Sequence, residues 1–237
     1  MKIRKILKSI CFMTVSVLTC SMLASCSVGN DSEPSISYYE EEQSKSGAAE
    51  AAGTKTGEYV ITLYPEYAPI TCENFEKLVK DGFYDGLTFH RVIDGFMAQG
   101  GDPEGKRSDD SYETIKGEFS ANGVDNKLSH TRGVISMARI PNDMNSASSQ
   151  FFICYSDAYT SSLDGQYAAF GKVTEGMETI DDFLNVERSY NQIGELATPI
   201  KPITITKAEM IDDDSEGHHR VKFTVSYTPQ ENNSSEQ

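Results

Sequence analysis

The sequence predicts an all-β domain, a barrel or a sandwich, carrying two short helices. Three observations predict it. Apolar residues alternate with polar ones in several short runs, the period of a half-buried strand. Gly, Pro, Asn and Asp punctuate the chain at close intervals, which leaves room for strands between turns. Only two stretches repeat apolar residues at helical spacing, and elements in that mix pack as a layered or closed β structure.

Residues 58–64 read as the first strand, with Tyr59, Ile61 and Leu63 on one face and Val60 and Thr62 on the other. Pro65 and Pro69 punctuate its exit. Thr71 reads as a helix N-cap with Glu73 in the first turn, since a hydroxyl accepts from an orphan amide and a carboxylate suits the positive end. Phe75, Leu78 and Val79 set the i, i+3, i+4 stripe, and Gly82 the stop. Short strands with frequent turns follow. Met177, Ile180, Phe183 and Leu184 predict a second helix after Glu175-Gly176. Ile203 and Ile205 alternate with Thr204 and Thr206 in a late strand. Residues 211–217 read as an acidic turn. Val221, Phe223, Val225 and Tyr227 then alternate with Lys222, Thr224 and Ser226, an additional strand expected to pair with a neighbouring edge. Asp213, Asp214, Glu216, His218 and His219 read as a solvated hairpin loop rather than a cation site.

The first residues read as a leader. Lys2, Arg4, Lys5 and Lys8 are basic, and residues 10–18 are apolar but too short to span a bilayer comfortably. Leu23-Ala24-Ser25-Cys26 resembles a bacterial lipoprotein cleavage box, so residues 1–25 are expected to be removed and Cys26 to carry lipid. An ordinary secretory signal is the alternative. Residues 26–56 hold Ser, Gly, Ala and Glu and few large apolar side chains, too few to offset ordering entropy. They read as a tether, which as flexible chain spans roughly 30 Å. The formal charge is −15, more negative once the basic leader is gone. That balance argues against nucleic acid and anionic lipid as direct partners. Of five cysteines, Cys11 and Cys20 leave with the leader, and Cys72 and Cys154 read as small buried free thiols, with a disulfide between them as the alternative in an exported protein. No Cys/His spacing fits zinc, and the four histidines are too scattered for a triad or a metal cluster.

The densest chemistry lies at 89–102, Phe-His-Arg-Val-Ile-Asp-Gly-Phe-Met-Ala-Gln-Gly-Gly-Asp. Read as a strand, Arg91 and Ile93 share one face and Val92 the other. The break at Asp94-Gly95 frees Phe96 and Met97 from that register. A fixed cation beside an apolar pocket suits a substrate that is apolar at one atom and hydrogen-bonded at the next, and a proline amide is such a group. Two further blocks follow, Gly133-Val134-Ile135-Ser136-Met137-Ala138 with Ser149-Gln150-Phe151-Phe152-Ile153, and 163–173 with Leu163-Asp164-Gly165-Gln166-Tyr167. Together these blocks resemble the cyclophilins, the cyclosporin-binding family of peptidyl-prolyl cis-trans isomerases, over residues 57–210.

The resemblance implies a closed eight-stranded antiparallel barrel with a helix near each open end. It implies a catalytic set of Arg91, Gln99 and Phe152, with Arg91 donating to the proline nitrogen as the amide twists. Phe96, Met97, Phe152 and Leu163 would line the proline pocket, and Gln99 and Gln150 would hold the substrate backbone and orient Arg91. Ala138 and Arg139 fall where the family binds the preceding peptide, Tyr167 stands at the pocket in place of a frequent His, and His90 is expected to be structural. No cofactor and no metal are implied. Arg139-Ile140 departs from a common Asn-Ala, and the loop at 141–148 is longer than in common eukaryotic members. Residues 104–110 depart from a glycine-rich run near the arginine. Ser162 replaces a frequent Trp whose indole N–H donates to cyclosporin, so weak inhibitor binding is expected.

The resulting expectation is a prolyl isomerase tethered to the extracytoplasmic face of a bacterial cell membrane, monomeric, assisting the folding of exported proline-containing polypeptides. The segment 211–237 would be a C-terminal extension. A non-catalytic module that holds proline peptides at the surface is the alternative. The missing two-lobed length and the barrel motifs disfavour a solute-binding lipoprotein.

Overall fold

The computed structural model describes residues 53–103 and 113–230. The expected leader, Cys26, nearly all of the tether and the loop at 104–110 lie outside the described residues. Among those described, no helix is long and apolar enough to cross a membrane.

Eight antiparallel strands close into one barrel. In chain order the strands are β1 (Lys55–Leu63), β2 (Thr88–Ile93), β3 (Met97–Gly100), β4 (Val134–Met137), β5 (Phe151–Cys154), β6 (Ala169–Glu175), β7 (Arg188–Tyr190), β8 (Leu196–Pro199), β9 (Ile203–Ile211) and β10 (Arg220–Tyr227). Around the barrel they run β1, β10, β9, β2, β3, β5, β4, β6 and back to β1, while β7 and β8 form a separate hairpin. The helices are α1 (Pro69–Lys80), the single-turn α2 (Thr160–Leu163) and α3 (Met177–Asp182). A 3₁₀ turn at Phe183–Asn185 continues α3, so the second expected helix is real but changes pitch after six residues.

The last strand corrects the expectation of an addition to an existing edge. β10 lies between β1 and β9, pairing with both, and the barrel closes only through it. Its alternation is complete: Val221, Phe223, Val225 and Tyr227 are buried and the residues between them half-exposed. Strand β1 also begins earlier than expected, at Lys55 opposite Tyr227, so the end of the expected tether is sheet. The turn before β10 is held by Asp214, whose Oδ1 accepts from the amides of Glu216 and His218.

Helix α1 corrects a second reading. It starts at Pro69, with Ala68 in the cap position, because proline suits a first-turn site that has no amide partner. Thr71 is therefore the third helical residue, and Glu73 falls beyond the first turn. The orphan amides of Ile70 and Thr71 donate instead to Glu118 at 3.1 and 2.8 Å. The far end is as expected: Gly82, at φ 68°, takes the left-handed turn. The Phe83 and Gly82 amides reach back to the Leu78 and Val79 carbonyls.

Aromatic rings fill the barrel. Phe75 of α1 packs against Tyr84, Phe151, Phe170 and Phe223, with centroids between 5.0 and 6.1 Å. Gly101 closes β3 at φ 79°, and a side chain there would meet the Ser149 carbonyl at 2.8 Å. Cys72 and Cys154 are buried free thiols, Cys72 donating to the Phe170 carbonyl.

Candidate active site

The register of four neighbouring strands builds the site. Arg91 on β2 lies opposite Gln99 on β3, Gln99 opposite Phe152 on β5, and Phe152 opposite Ser136 on β4. The two-residue period sends Ala98, Phe151 and Ile153 into the barrel core. Met97, Phe152 and Cys154 go to a second cluster on the other face, completed by Leu163 and edged by Ile93, Phe96, Ala138 and Tyr167. In β2 a bulge between Phe89 and Arg91 interrupts the alternation, so Phe89 and Val92 are both buried while His90 and Arg91 are half-exposed.

The result is a cup of about 150 Å³ bounded by Arg91, Phe96, Met97, Gln99, Ala138, Arg139, Phe152, Leu163 and Tyr167. Gln99, Ala138 and Arg139 also line a second groove of about 250 Å³, together with Ile140, Pro141, Ser146, Ser148 and Gln150. Every residue expected at the substrate site thus lines one of two adjoining hollows. Met97 and Phe152 form a nearly solvent-free floor. Phe152 meets Tyr167 edge-on at 5.8 Å.

A hydrogen-bonded chain crosses the rim. Arg91 Nη1 donates to Gln99 Oε1 at 3.4 Å, and Gln99 Nε2 donates to Gln150 Oε1 at 2.9 Å. The guanidinium carbon lies 5.8 Å from the Phe96 ring centre. Its other edge is held by a residue absent from the sequence reading. Arg91 Nε and Nη2 donate to the two oxygens of Glu195 at 3.0 and 2.7 Å. The Arg91 hydrogen bond holds the Glu195 carboxyl below its ordinary range, helped by Asn191, whose Nδ2 donates at 2.7 Å. Glu195 sits 104 residues beyond Arg91, just before β8 in the hairpin outside the barrel. No local pattern announces such a partner.

Arg139 is placed at the pocket, with its Nε and Nη1 donors turned to backbone carbonyls. Nε donates to the Gln166 carbonyl, and Nη1 to those of Ile140 and Pro141. Its guanidinium also lies over the Tyr167 and Phe119 rings at 4.7 and 5.3 Å. Arg139 therefore braces the wall between the two hollows. At the opposite rim, Ser162 turns its hydroxyl back to the Tyr159 carbonyl at 2.9 Å, and the Tyr159 ring packs on Phe96 at 4.3 Å.

The expectation that no histidine enters a triad needs correction. His130 Nδ1 lies 2.7 Å from Asp164 Oδ1, and Nε2 lies 2.9 Å from Ser136 Oγ. The three come together because β4, the loop before it and the turn after α2 converge behind Phe152. Ser136 and His130 are sealed from solvent, so this Ser-His-Asp set cannot meet a substrate as a nucleophile would. The His130 ring instead stacks behind Phe152 at 6.0 Å and 13°. Burial pushes the His130 pKa down, against the pull of Asp164, and so favours the neutral ring.

Covalent chemistry has no carrier in the cup. Burial pushes the Cys154 thiol up to about 12, far from a reactive thiolate. Among the described residues no group of three or more His, Cys, Asp or Glu could hold a metal ion. What the cup presents is a greasy floor, the Gln99 amide and the guanidinium groups of Arg91 and Arg139: it can hold an apolar ring and donate to a polar atom beside it.

Comparison with known proteins shows which family the chain is similar to. The family model described as "Cyclophilin type peptidyl-prolyl cis-trans isomerase/CLD" matches residues 51–210. Peptidyl-prolyl cis-trans isomerase B of Bacillus subtilis is 46% identical over 123 residues, covering 52% of this chain and 80% of that protein. A peptidyl-prolyl cis-trans isomerase of Acinetobacter baylyi is 44% identical over 140 residues, covering 57% and 71%. Among solved structures, a Cryptosporidium parvum cyclophilin type peptidyl-prolyl cis-trans isomerase superposes with a TM-score of 0.52 at 29% identity, covering 65% of this chain and 96% of that one. Another structure of that protein, in the presence of the dipeptide ala-pro, gives 0.50 at 26% identity, covering 73% and 99%.

Proposed function

Since this chain belongs to the cyclophilin-type peptidyl-prolyl cis-trans isomerase family, we propose that Arg91, Gln99 and Phe152 carry the isomerisation, on exported polypeptides at a membrane surface. Rotation about an X-Pro bond crosses a barrier of about 18–20 kcal/mol without making or breaking a bond. Twisting ends the amide resonance and returns a lone pair to the proline nitrogen. A donor at that nitrogen gains strength only at the twist, which is what lowers the barrier. Arg91 is such a donor, always charged and set on the rim of the cup. One charge-assisted hydrogen bond contributes about 1.5–3 kcal/mol, roughly ten- to a hundredfold in rate. Seating the ring on Phe96, Met97, Phe152 and Leu163 and fixing the flanking peptide with Gln99 and Gln150 would supply the remainder.

The Arg91–Gln99–Gln150 chain at the lip of the apolar cup is the single observation that carries this reading. It is tested on residues 53–237 with a short X-Pro peptide. The domain should accelerate isomerisation, and Arg91→Ala should lose about a hundredfold in kcat/KM with an unchanged circular dichroism spectrum. Equal rates for the two proteins would overturn the assignment.

The cellular setting is read from the leader. The basic, apolar and Leu23-Ala24-Ser25-Cys26 segments, followed by a polar tether, support lipid attachment at Cys26 and an extracytoplasmic site. Mass spectrometry of the mature protein should find acyl chains on Cys26, and Cys26→Ser should release the protein from the membrane. An unmodified Cys26 in wild-type protein would end this part of the reading.

A further inference from the structure

We infer that Glu195 is a positioning residue for the isomerisation, acting through Arg91; the inference rests on the assignment of Arg91 as the donor. A guanidinium on a flexible stem can occupy many rotamers, and a donor must be aimed before it can act. Glu195 takes Nε and one Nη2 proton in the two-pronged geometry that fixes both position and plane. The carboxylate is itself fixed. Asn191 Nδ2 donates to Oε2, Asn191 Oδ1 accepts from the Glu195 amide, and the Asn191 amide donates to the Glu195 carbonyl. The hairpin is fastened to the barrel in turn, because Arg188 of β7 donates to the Val92 carbonyl of β2, next to Arg91.

The same pair could be a latch that withdraws Arg91 from its work. Geometry decides against that. With Glu195 engaged, Arg91 still lines the cup, still reaches Gln99 and still lies against Phe96. Glu195 occupies the edge of the guanidinium formed by Nε and Nη2, while Nη1 keeps only a 3.4 Å contact and is the end that can turn to a substrate atom. Partial exposure of both partners, 28% and 31%, means the pair is screened. Its effect on the strength of the Arg91 charge is therefore smaller than its effect on orientation.

Nuclear magnetic resonance of a saturating X-Pro peptide gives the turnover rate, and titration gives Kd. In Glu195→Ala and in the isosteric Glu195→Gln, turnover should fall about tenfold while Kd stays within about twofold. The Arg91 Nε–H resonance should lose its protection from solvent exchange in both. Glu195→Ala added to Arg91→Ala should cost nothing further, since it acts through that side chain. Turnover equal to or above wild type in folded Glu195→Gln, with Arg91→Ala still impaired, would overturn the inference and leave the role of Arg91 standing. Unchanged turnover in Arg91→Ala itself would sink both.

Discussion

Thr71 and Glu118 lie 47 residues apart, yet one oxygen of the Glu118 carboxylate accepts from both the amide and the hydroxyl of Thr71, at 2.8 and 2.7 Å. The other oxygen takes the Ile70 amide. A buried carboxylate on a distant loop thus caps α1 from outside, where the positive end of a helix favours it. Removing it strands the Thr71 amide and hydroxyl in a dry site, while the Ile70 amide is left partly open to water. Glu118→Ala should cost about 2–4 kcal/mol of stability, and Thr71→Val, which keeps the amide bond, about 1 kcal/mol. Urea titrations check both. Equal small effects would mean that water replaces the carboxylate without penalty.

The barrel should depend on its last strand. Matched residues of the family model end at 210, and β10 begins at Arg220. Its four inward side chains are worth about 1.5–3 kcal/mol each in burial. Their sum is comparable to the whole stability of an ordinary domain. A chain ending at Ile211 should therefore show no cooperative melting, and Phe223→Ala alone should cost about 3–5 kcal/mol. A sharp native-like thermal transition in the truncated chain would contradict the role given to β10.

The alternation at 221–227 announced a strand plainly, but its place in the sheet was not legible. Period two says which face is buried and is silent on which strands stand to either side. The same limit explains the rest. Apolar positions such as Phe96, Met97, Phe152 and Leu163 come from ordered local blocks, and they meet in one cup. Thr71 reads as a cap because a hydroxyl can accept from an orphan helix amide. The competing signal was Pro69 two residues earlier, which already fixed the helix start. Glu118, Glu195 and the His130–Asp164 pair are long-range partners of groups that could be seen. Each is a single polar residue in a loop, with no period to mark it.

Stability should fall as the medium turns acidic through the histidine range. Burial depresses the His130 pKa, whereas an unfolded chain protonates histidine near its ordinary value of about 6.5. Below that pH the unfolded chain takes up a proton that the fold refuses. The contribution is thus complete above about pH 6.5 and declines as pH falls toward the depressed folded value. His219 runs the other way, because its hydrogen bond to Glu76 raises its pKa, giving stability that is present at low pH and lost as pH rises. Replacing it by Gln removes that opposing contribution. Denaturation of His219→Gln at pH 5.5 and 7.5 should show the lower stability at 5.5, and adding His130→Gln should flatten the difference. A pH-independent His219→Gln would show that His130 titrates alike in both states.

Cyclosporin should bind weakly while isomerase activity remains. Relatives that bind it well are expected to present an indole N–H at the position of Ser162. Here the Ser162 hydroxyl is spent on the Tyr159 carbonyl, and an exposed short side chain offers neither the donor nor the ring. The Tyr159 ring lies over Phe96 instead, with ring centres 4.3 Å apart. Losing one hydrogen bond and one aromatic contact should cost about 1–3 kcal/mol, or roughly ten- to a hundredfold in affinity. A proline ring needs only the floor and the rim donors, and neither includes Ser162. Inhibitor titration against activity checks the point, with Ser162→Trp beside Ser162→Trp/Tyr159→Ala. The double variant should recover affinity further than the single one, because the new ring then has Phe96 to itself. Nanomolar inhibition of the unaltered protein would mean that Tyr159 already supplies what the indole does elsewhere.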